Sequence, residues 1–259
     1  ARGLAHSKRS ATSQSILVNH FVESMRWALA YATNSIALVY IEGKMVDSKA
    51  IFQGAQSVAL IGNGVIVDYD FMAPLVRKYD KCIAVDGGLS HCHAMGIIPD
   101  LIIGDQDSLS PEILKLYPDV PIEIFLEDKD QTDMELAISA ADSPSMKKIV
   151  LFGATGNRTD HALANLHLMC RSPAKICIET EAESIFCLQG KNKLNSHEGQ
   201  TISLIPIDSP PTGVTTIGLK WELHNATLDK NFFSQSNICL GSSFEISIEH
   251  GNLICCMIR

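Results

Sequence analysis

Residues 148–156 read KIVLFGATG: a lysine, four apolar residues, then a glycine-rich turn. Four other segments follow the same plan: SVALIGNG (57–64), KCIAVDGG (81–88), LIIGDQDS (101–108) and IEIFLEDKDQTD (122–133). Helix-like stretches separate them. Strands that are apolar along their whole length, each followed by a helix, belong in a parallel sheet covered on both faces. The predicted architecture over residues 57–173 is therefore a parallel-sheet α/β domain of Rossmann-like type. Each run ends in glycine or aspartate, and in such sheets ligands gather outside the carboxyl ends of the strands.

After Pro173 the rhythm changes. KICIETEAESIFCL, QTISLIPI, GLKWEL, SFEISIEH and NLICCMIR are short alternating segments separated by Gly, Pro, Asn and Ser. Regularly spaced strands without helices between them predict an antiparallel β-sandwich over residues 174–259. Residues 1–56 read as an N-terminal extension. Its first 22 residues carry Arg2, Lys8 and Arg9, five Ser or Thr and no acid, a composition resembling a transit peptide. The alternative is an appended segment with Met45 as the natural start.

With 259 residues, 46% hydrophobic and 19% charged, the chain can build one large domain or two modest ones. A net charge of -8 and a pI near 5.6 provide no general basic surface for nucleic acid or an anionic membrane, so neither is an expected partner. The mild apolar run Trp27–Ile41 is shorter than the roughly 20 residues that span a bilayer. Eight cysteines without a C-x-x-C spacing suit reduced thiols in a cytoplasmic protein better than a disulfide framework or a zinc site.

The acidic strand ends carry the chemistry. Asp105 and Asp107 stand two residues apart beyond Gly104, where a loop lets both carboxylates turn to one point. Such a pair repels by roughly 4 kcal/mol at 4 Å and an effective dielectric near 20, so it commonly holds a cation or shares a proton. In the alternative, one aspartate caps a helix opening at Pro111 and the other is solvated. Farther along, Thr132 and Glu135 form a capping-box pattern, which leaves Glu127, Asp128, Asp130 and Asp133 crowded at one strand end. Carboxylates without neighbouring His or Cys favour Mg²⁺ over zinc, and Mg²⁺ held this way usually also binds substrate phosphates.

Two further segments point to an anion. In VDGGLSHCHAMG, Gly87 and Gly88 sit between strand and helix, where backbone N–H groups can approach one. In FGATGNRTDHALAN, Arg158 opens a helix, the wrong charge for that end of the dipole unless an anion binds there. The alternative is a surface arginine paired with Asp160. His161 and Asn165 share a helix face and could line a pocket. His91 and His93 flank Cys92 in helical context without a second ligand pair, which argues against a metal cluster.

In order along the chain, DGG (86–88), GDQDS (104–108), DKDQTD (128–133), GNRTDH (156–161), GLKW (218–221) and SN (236–237) resemble the thiamine pyrophosphokinase family. The resemblance runs from about residue 57 to the C-terminus. It implies an α/β catalytic domain that binds ATP and Mg²⁺, followed by a β-sandwich that binds thiamine and dimerises. The implied reaction moves the pyrophosphoryl group of ATP to the thiamine hydroxyl, yielding thiamine diphosphate and AMP.

By the same resemblance, Asp105, Asp107 and Asp133 hold Mg²⁺, while Arg158 and Asp160 face the phosphates and the reacting hydroxyl. Asp86, Gly87, Gly88, Asp130 and His161 surround the nucleotide. Trp221 stacks on thiamine, Ser236 and Asn237 contact it, and the thiamine site lies between the subunits of a homodimer. Gln106 stands where the family commonly has an aromatic residue, and Asn157 where it has a second glycine. A pyrophosphokinase for another hydroxymethyl heterocycle, such as a pterin, would share the metal and phosphate motifs, and a non-catalytic thiamine- or nucleotide-binding relative would share the fold. Trp221 with Ser236 and Asn237 favours thiamine over the first. The retained aspartates favour catalysis over the second.

Overall fold

The computed structural model describes residues 38–41, 44–104, 110–125, 130–173 and 175–259. The chain divides into residues 1–38 and 39–259, and the second unit is compact. The described residues open with the short strands β1 (Leu38–Ile41) and β2 (Lys44–Asp47) and one helical turn, α1 (Ser48–Ile51). Strand and helix then alternate: β3 (Ser57–Ile61), α2 (Tyr69–Val76), β4 (Lys81–Val85), α3 (Gly88–Ala94), β5 (Leu101–Gly104), α4 (Pro111–Leu114). The series continues through β6 (Ile122–Ile124), α5 (Asp133–Ala141), β7 (Lys148–Phe152), α6 (Thr159–Cys170) and β8 (Ile176–Glu179). Strands alone follow: β9 (Glu183–Leu188), β10 (Lys191–Asn195), β11 (Thr201–Thr212), β12 (Thr215–Ile217), β13 (Ser234–Ile238), β14 (Ser243–Ser247) and β15 (His250–Ile258).

Twelve of these strands form one sheet in the order β13-β11-β15-β9-β8-β7-β3-β4-β5-β6-β1-β2. Its centre, β8-β7-β3-β4-β5-β6, is parallel throughout. The parallel run agrees with the apolar strand pattern. Alternate residues of each strand face opposite layers: Leu60, Val85, Ile103 and Leu151 pack on α5 and α6, while Ile61, Ala84, Ile102 and Phe152 pack on α2 and α3. All eight are at most 3% exposed, and burying an aliphatic or aromatic side chain of this size contributes about 1.5–3 kcal/mol. Phe52 and Ala55, which follow from α1, are buried in the α5 layer as well.

One strand departs from its sequence pattern. KICIE belongs to a stretch that reads as antiparallel, yet Val150 and Leu151 of β7 pair in parallel with Cys177 and Ile178 of β8. Helix α6 returns the chain to the start of the sheet, so the next strand must run the same way as β7. The direction reverses only at the turn between Glu179 and Glu183, after which β9 pairs antiparallel to β8. Beyond it, β15, β11 and β13 continue the sheet, and the strands β10-β14-β12 form a second, three-stranded sheet. Leu204, Leu253 and Cys255 from the first and Phe244 and Ile246 from the second share one buried cluster, the core of an antiparallel sandwich.

Candidate active site

Strands β3 to β6 add outward in one direction, and the chain then returns to place β7 on the other side of β3. This is a topological switch point, where the loops after neighbouring strands part and leave a crevice at the carboxyl edge. A cleft of about 510 Å³ opens there. Its walls are the loop after β3, Gly62–Asn63–Gly64, and the loop after β7, Gly153 to Arg158. The loops are laced together: the N–H groups of Gly62, Gly64 and Val65 donate to the carbonyls of Phe152, Gly153 and Thr155 at 2.8, 2.7 and 3.1 Å.

The β7 loop turns through the left-handed region at Gly153 (φ 55°), Gly156 (φ 82°) and Asn157 (φ 55°). Asparagine is among the few non-glycine residues that visit this region readily. That is the physical reason Asn157 can hold this turn without being glycine.

Asp86 stands at the cleft floor, itself left-handed (φ 50°), with its N–H donating to Ile103 O at 2.7 Å. The end of β5 lies against it, since a Cβ on Gly104 would come within 2.2 Å of Asp86 Oδ1. Gly104, the last described residue of this segment, therefore lies beside this carboxylate. Asp105 and Asp107 themselves, with Gln106, Glu127 and Asp128, lie outside the described residues. At Gly88 a Cβ would stand 1.8 Å from Ile61 O, so α3 can approach β3 this closely only through glycine.

The third wall is the start of α5. Thr132 caps it, its Oγ1 accepting from the Glu135 N–H at 3.2 Å, while the Glu135 carboxylate pairs with Arg171. The cap brings Thr132, Asp133 and Met134 into the cleft lining. From α6 come Asp160, His161, Ala164 and Asn165.

Arg158 occupies the N-cap position of α6 with no side-chain bond to the helix backbone, and grips Asp160 in a bidentate pair, Nε to Oδ1 at 3.1 Å and Nη2 to Oδ2 at 2.5 Å. This is the pair the surface-arginine alternative expects, and it forms on the cleft wall. The guanidinium hydrogen bonds hold the Asp160 carboxyl down to about 2. Both side chains are about two-thirds exposed, so the pair itself adds little stability.

The cleft thus gathers Asp86, Asp133, Arg158, Asp160 and His161 from segments up to 75 residues apart, while Gly87, Gly88 and the exposed Asp130 are not among its lining residues. Sequence reading passed over the Gly62–Asn63–Gly64 wall. Its signal was available in GNG directly after an apolar strand. His91 and His93 do not converge: His91 lies between Tyr69 and Gly64, and His93 Nδ1 is 3.1 Å from Tyr117 Oη.

Trp221, Ser236 and Asn237 belong to the antiparallel part, away from this lining. Asn237 is only 1% exposed and holds the Trp221 backbone at both ends, Oδ1 accepting from its N–H at 3.1 Å and Nδ2 donating to its carbonyl at 2.7 Å. The Trp221 side chain is 54% exposed, with the Lys220 ammonium 4.7 Å from its ring centroid. Ser236 is exposed and left-handed (φ 57°), its N–H donating to Ser203 Oγ. Structure brings Trp221 and Asn237 together by a route that residue types alone did not show.

Among the described residues, no helix is long and apolar enough to cross a membrane. Residues 72–193 match the family model described as thiamin pyrophosphokinase, catalytic domain, and residues 190–253 match that described as thiamin pyrophosphokinase, vitamin B1 binding domain. Thiamine pyrophosphokinase of Bacillus subtilis is 31% identical over 176 residues, covering 64% of this chain and 77% of the relative. Thiamine pyrophosphokinase 1 of Oryza sativa subsp. japonica is 34% identical over 155 residues, 54% of this chain and 59% of the relative. Against three plant relatives the chain spans 54% to 62% of their length. The crystal structure of thiamine pyrophosphokinase from Bacillus subtilis superposes with a TM-score of 0.69 at 26% identity, over 79% of this chain and 99% of that one. The yeast thiamin pyrophosphokinase structure shares the fold, with a TM-score of 0.67 at 19% identity over 88% of this chain and 95% of that one. With both family domains matched in order and a bacterial relative aligned over most of its length, the chain belongs to the thiamine pyrophosphokinase family.

Proposed function

We propose that this chain transfers the pyrophosphoryl group of ATP to the hydroxyl of thiamine, forming thiamine diphosphate and AMP. The observation that carries the reading is the switch-point cleft, whose glycine-rich walls bring carboxylates and one arginine to the same edge of the sheet. In the reaction the thiamine oxygen bonds to the β-phosphorus, the bond from that phosphorus to the α-phosphate oxygen breaks, and AMP leaves. The hydroxyl proton is lost to a base. Such transfers depend on positioning and on neutralising charge rather than on covalent help from the protein.

Asp86 and Asp133 are oxygen donors of the kind that fits Mg²⁺, and Asp133 would hold it together with Asp105 and Asp107. When bound, the ion neutralises phosphate charge and orients the leaving oxygen. Arg158 supplies a positive group in the same cleft, and Asp160 holds the guanidinium there. A carboxyl held near 2 is a weak base, so Asp160 suits the role of strut for Arg158 better than that of proton acceptor.

In this reading residues 57–173 bind the nucleotide and residues 174–259 bind thiamine and form a homodimer, in the cytoplasm. The exposed Trp221, Phe232, Phe233 and Leu240 support the dimer as apolar surface that a second copy would cover. Incubation with ATP, Mg²⁺ and thiamine tests the reaction: AMP and thiamine diphosphate should appear in equal amounts. ADP as product, or AMP formation indifferent to thiamine, would overturn it.

Trp221 carries the acceptor side of the proposal. Its ring already attracts the Lys220 ammonium, so its face accepts a cation such as the thiazolium. Trp221→Ala should raise the thiamine KM about tenfold, the effect of losing roughly 1.4 kcal/mol of stacking, with the ATP KM unchanged. A thiamine KM equal to wild type would remove Trp221 from the site.

A further inference from the structure

Each glycine wall of the cleft is held by one side chain. Asn165 Nδ2, within the cleft lining, donates to Ala154 O of the β7 loop at 2.7 Å. Behind the β3 loop, His91 Nε2 lies 2.8 Å from Gly64 O. A carbonyl only accepts, so Nε2 carries the proton. Tyr69 Oη takes the other end of the ring, 2.8 Å from Nδ1. The same Gly64–Val65 peptide gives its N–H to Thr155 O, so it is clamped at both ends.

We propose that His91 is a positioning residue for the nucleotide: it fixes the Gly62–Asn63–Gly64 wall by keeping the Gly64 carbonyl turned onto α3. The proposal rests on the reading of this cleft as the ATP site. Without the Nε2 donor, the carbonyl loses its partner, and only the Val65 N–H bond to Thr155 O still resists a turn of the peptide toward the cleft, where an acceptor oxygen repels phosphate oxygens. His91 also belongs to α3, and the Asn63 side chain lies directly against Gly87, the residue that precedes this helix. One side chain therefore ties the loop to the helix it touches. The effect should fall on ATP rather than thiamine, whose expected contacts lie in the antiparallel part.

The test compares two amides by steady-state kinetics with ATP, Mg²⁺ and thiamine. His91→Gln places an N–H near the Nε2 position, whereas His91→Asn is too short to reach Gly64. His91→Asn should raise the ATP KM about tenfold with kcat changed less than about threefold and the thiamine KM unchanged, and His91→Gln should stay within about twofold of wild type. An ATP KM for His91→Asn equal to wild type, equal impairment of both variants, or a parallel rise in the thiamine KM would each sink the proposal.

Should His91→Asn not fold, Tyr69→Phe removes only the rear support and is expected to raise the ATP KM about threefold. No change in that folded variant refutes the strut. Wild-type protein that makes no thiamine-dependent AMP refutes the assigned reaction instead. Calorimetric ATP binding by wild type and His91→Asn then decides the strut by the same tenfold ratio.

Discussion

Asp133→Asn is expected to lower kcat for thiamine-dependent AMP formation by about a hundredfold or more, while the unfolding free energy changes by no more than about 1 kcal/mol. Two explanations compete for this carboxylate. Asp133 is the first residue of α5, where a negative charge is favourable simply because it faces the helix N-terminus. It also lines the cleft beside Thr132 and Met134, in the same cleft as Arg158 and Asp160. The dipole explanation predicts a small loss of stability and unchanged turnover. The metal explanation predicts the reverse, because asparagine keeps the shape but not the charge that a divalent ion needs. Urea unfolding alongside kcat separates them, and a small stability loss with intact turnover would return Asp133 to the helix. Thr132 supplies the cap, so the helix start does not depend on Asp133.

Replacing Arg158 with glutamine should reduce kcat/KM by roughly a hundredfold to a thousandfold, the usual consequence of removing one preorganised group from developing phosphate charge. The same variant reports on Asp160. Its carboxyl, held near 2 by the guanidinium hydrogen bonds, should return toward the ordinary value of about 3.9.

Because the folded value lies below the unfolded one, Asp160 contributes stability above about pH 3.9 and loses it as pH falls toward 2. Arg158→Gln should remove that acid dependence. With both side chains largely exposed, the contribution is small, so the titration is better read from the side-chain carboxyl carbon by NMR than from a melting curve. An Asp160 titration unmoved by the substitution would show that the pair does not persist in solution. Turnover unmoved by it would remove Arg158 from the reaction.

Much of this architecture is legible locally. The runs SVALI, KCIAV, LIIG and KIVLF are apolar at every position or nearly so, and only a strand covered on both faces tolerates that pattern. Thr132 announces the start of α5 because a hydroxyl three residues before a free N–H satisfies it, and the structure has that bond. The left-handed turn at Asn157 is also a local matter, since it depends on what one residue's backbone can adopt. Residue types alone carried the expectation of carboxylates and a basic group at the strand ends.

Other features had no local signal. Whether β8 runs with or against β7 depends on the helix before it, because ICIE reads as the same strand in either direction. Asn237 looks like a surface residue in the polar stretch SQSN, yet it is buried beneath Trp221 because two strands and a long loop meet there. The Gly62–Asn63–Gly64 wall acquires meaning only when β7 inserts beside β3, 87 residues along from Ile61 to Lys148. Sequence by itself determined the strands, their two-faced burial and the residue chemistry at their ends, because period and propensity act within a window of a few residues. Tertiary structure decided the strand order, the switch point and which ends share one cleft, because those follow from pairing between segments that no short window contains.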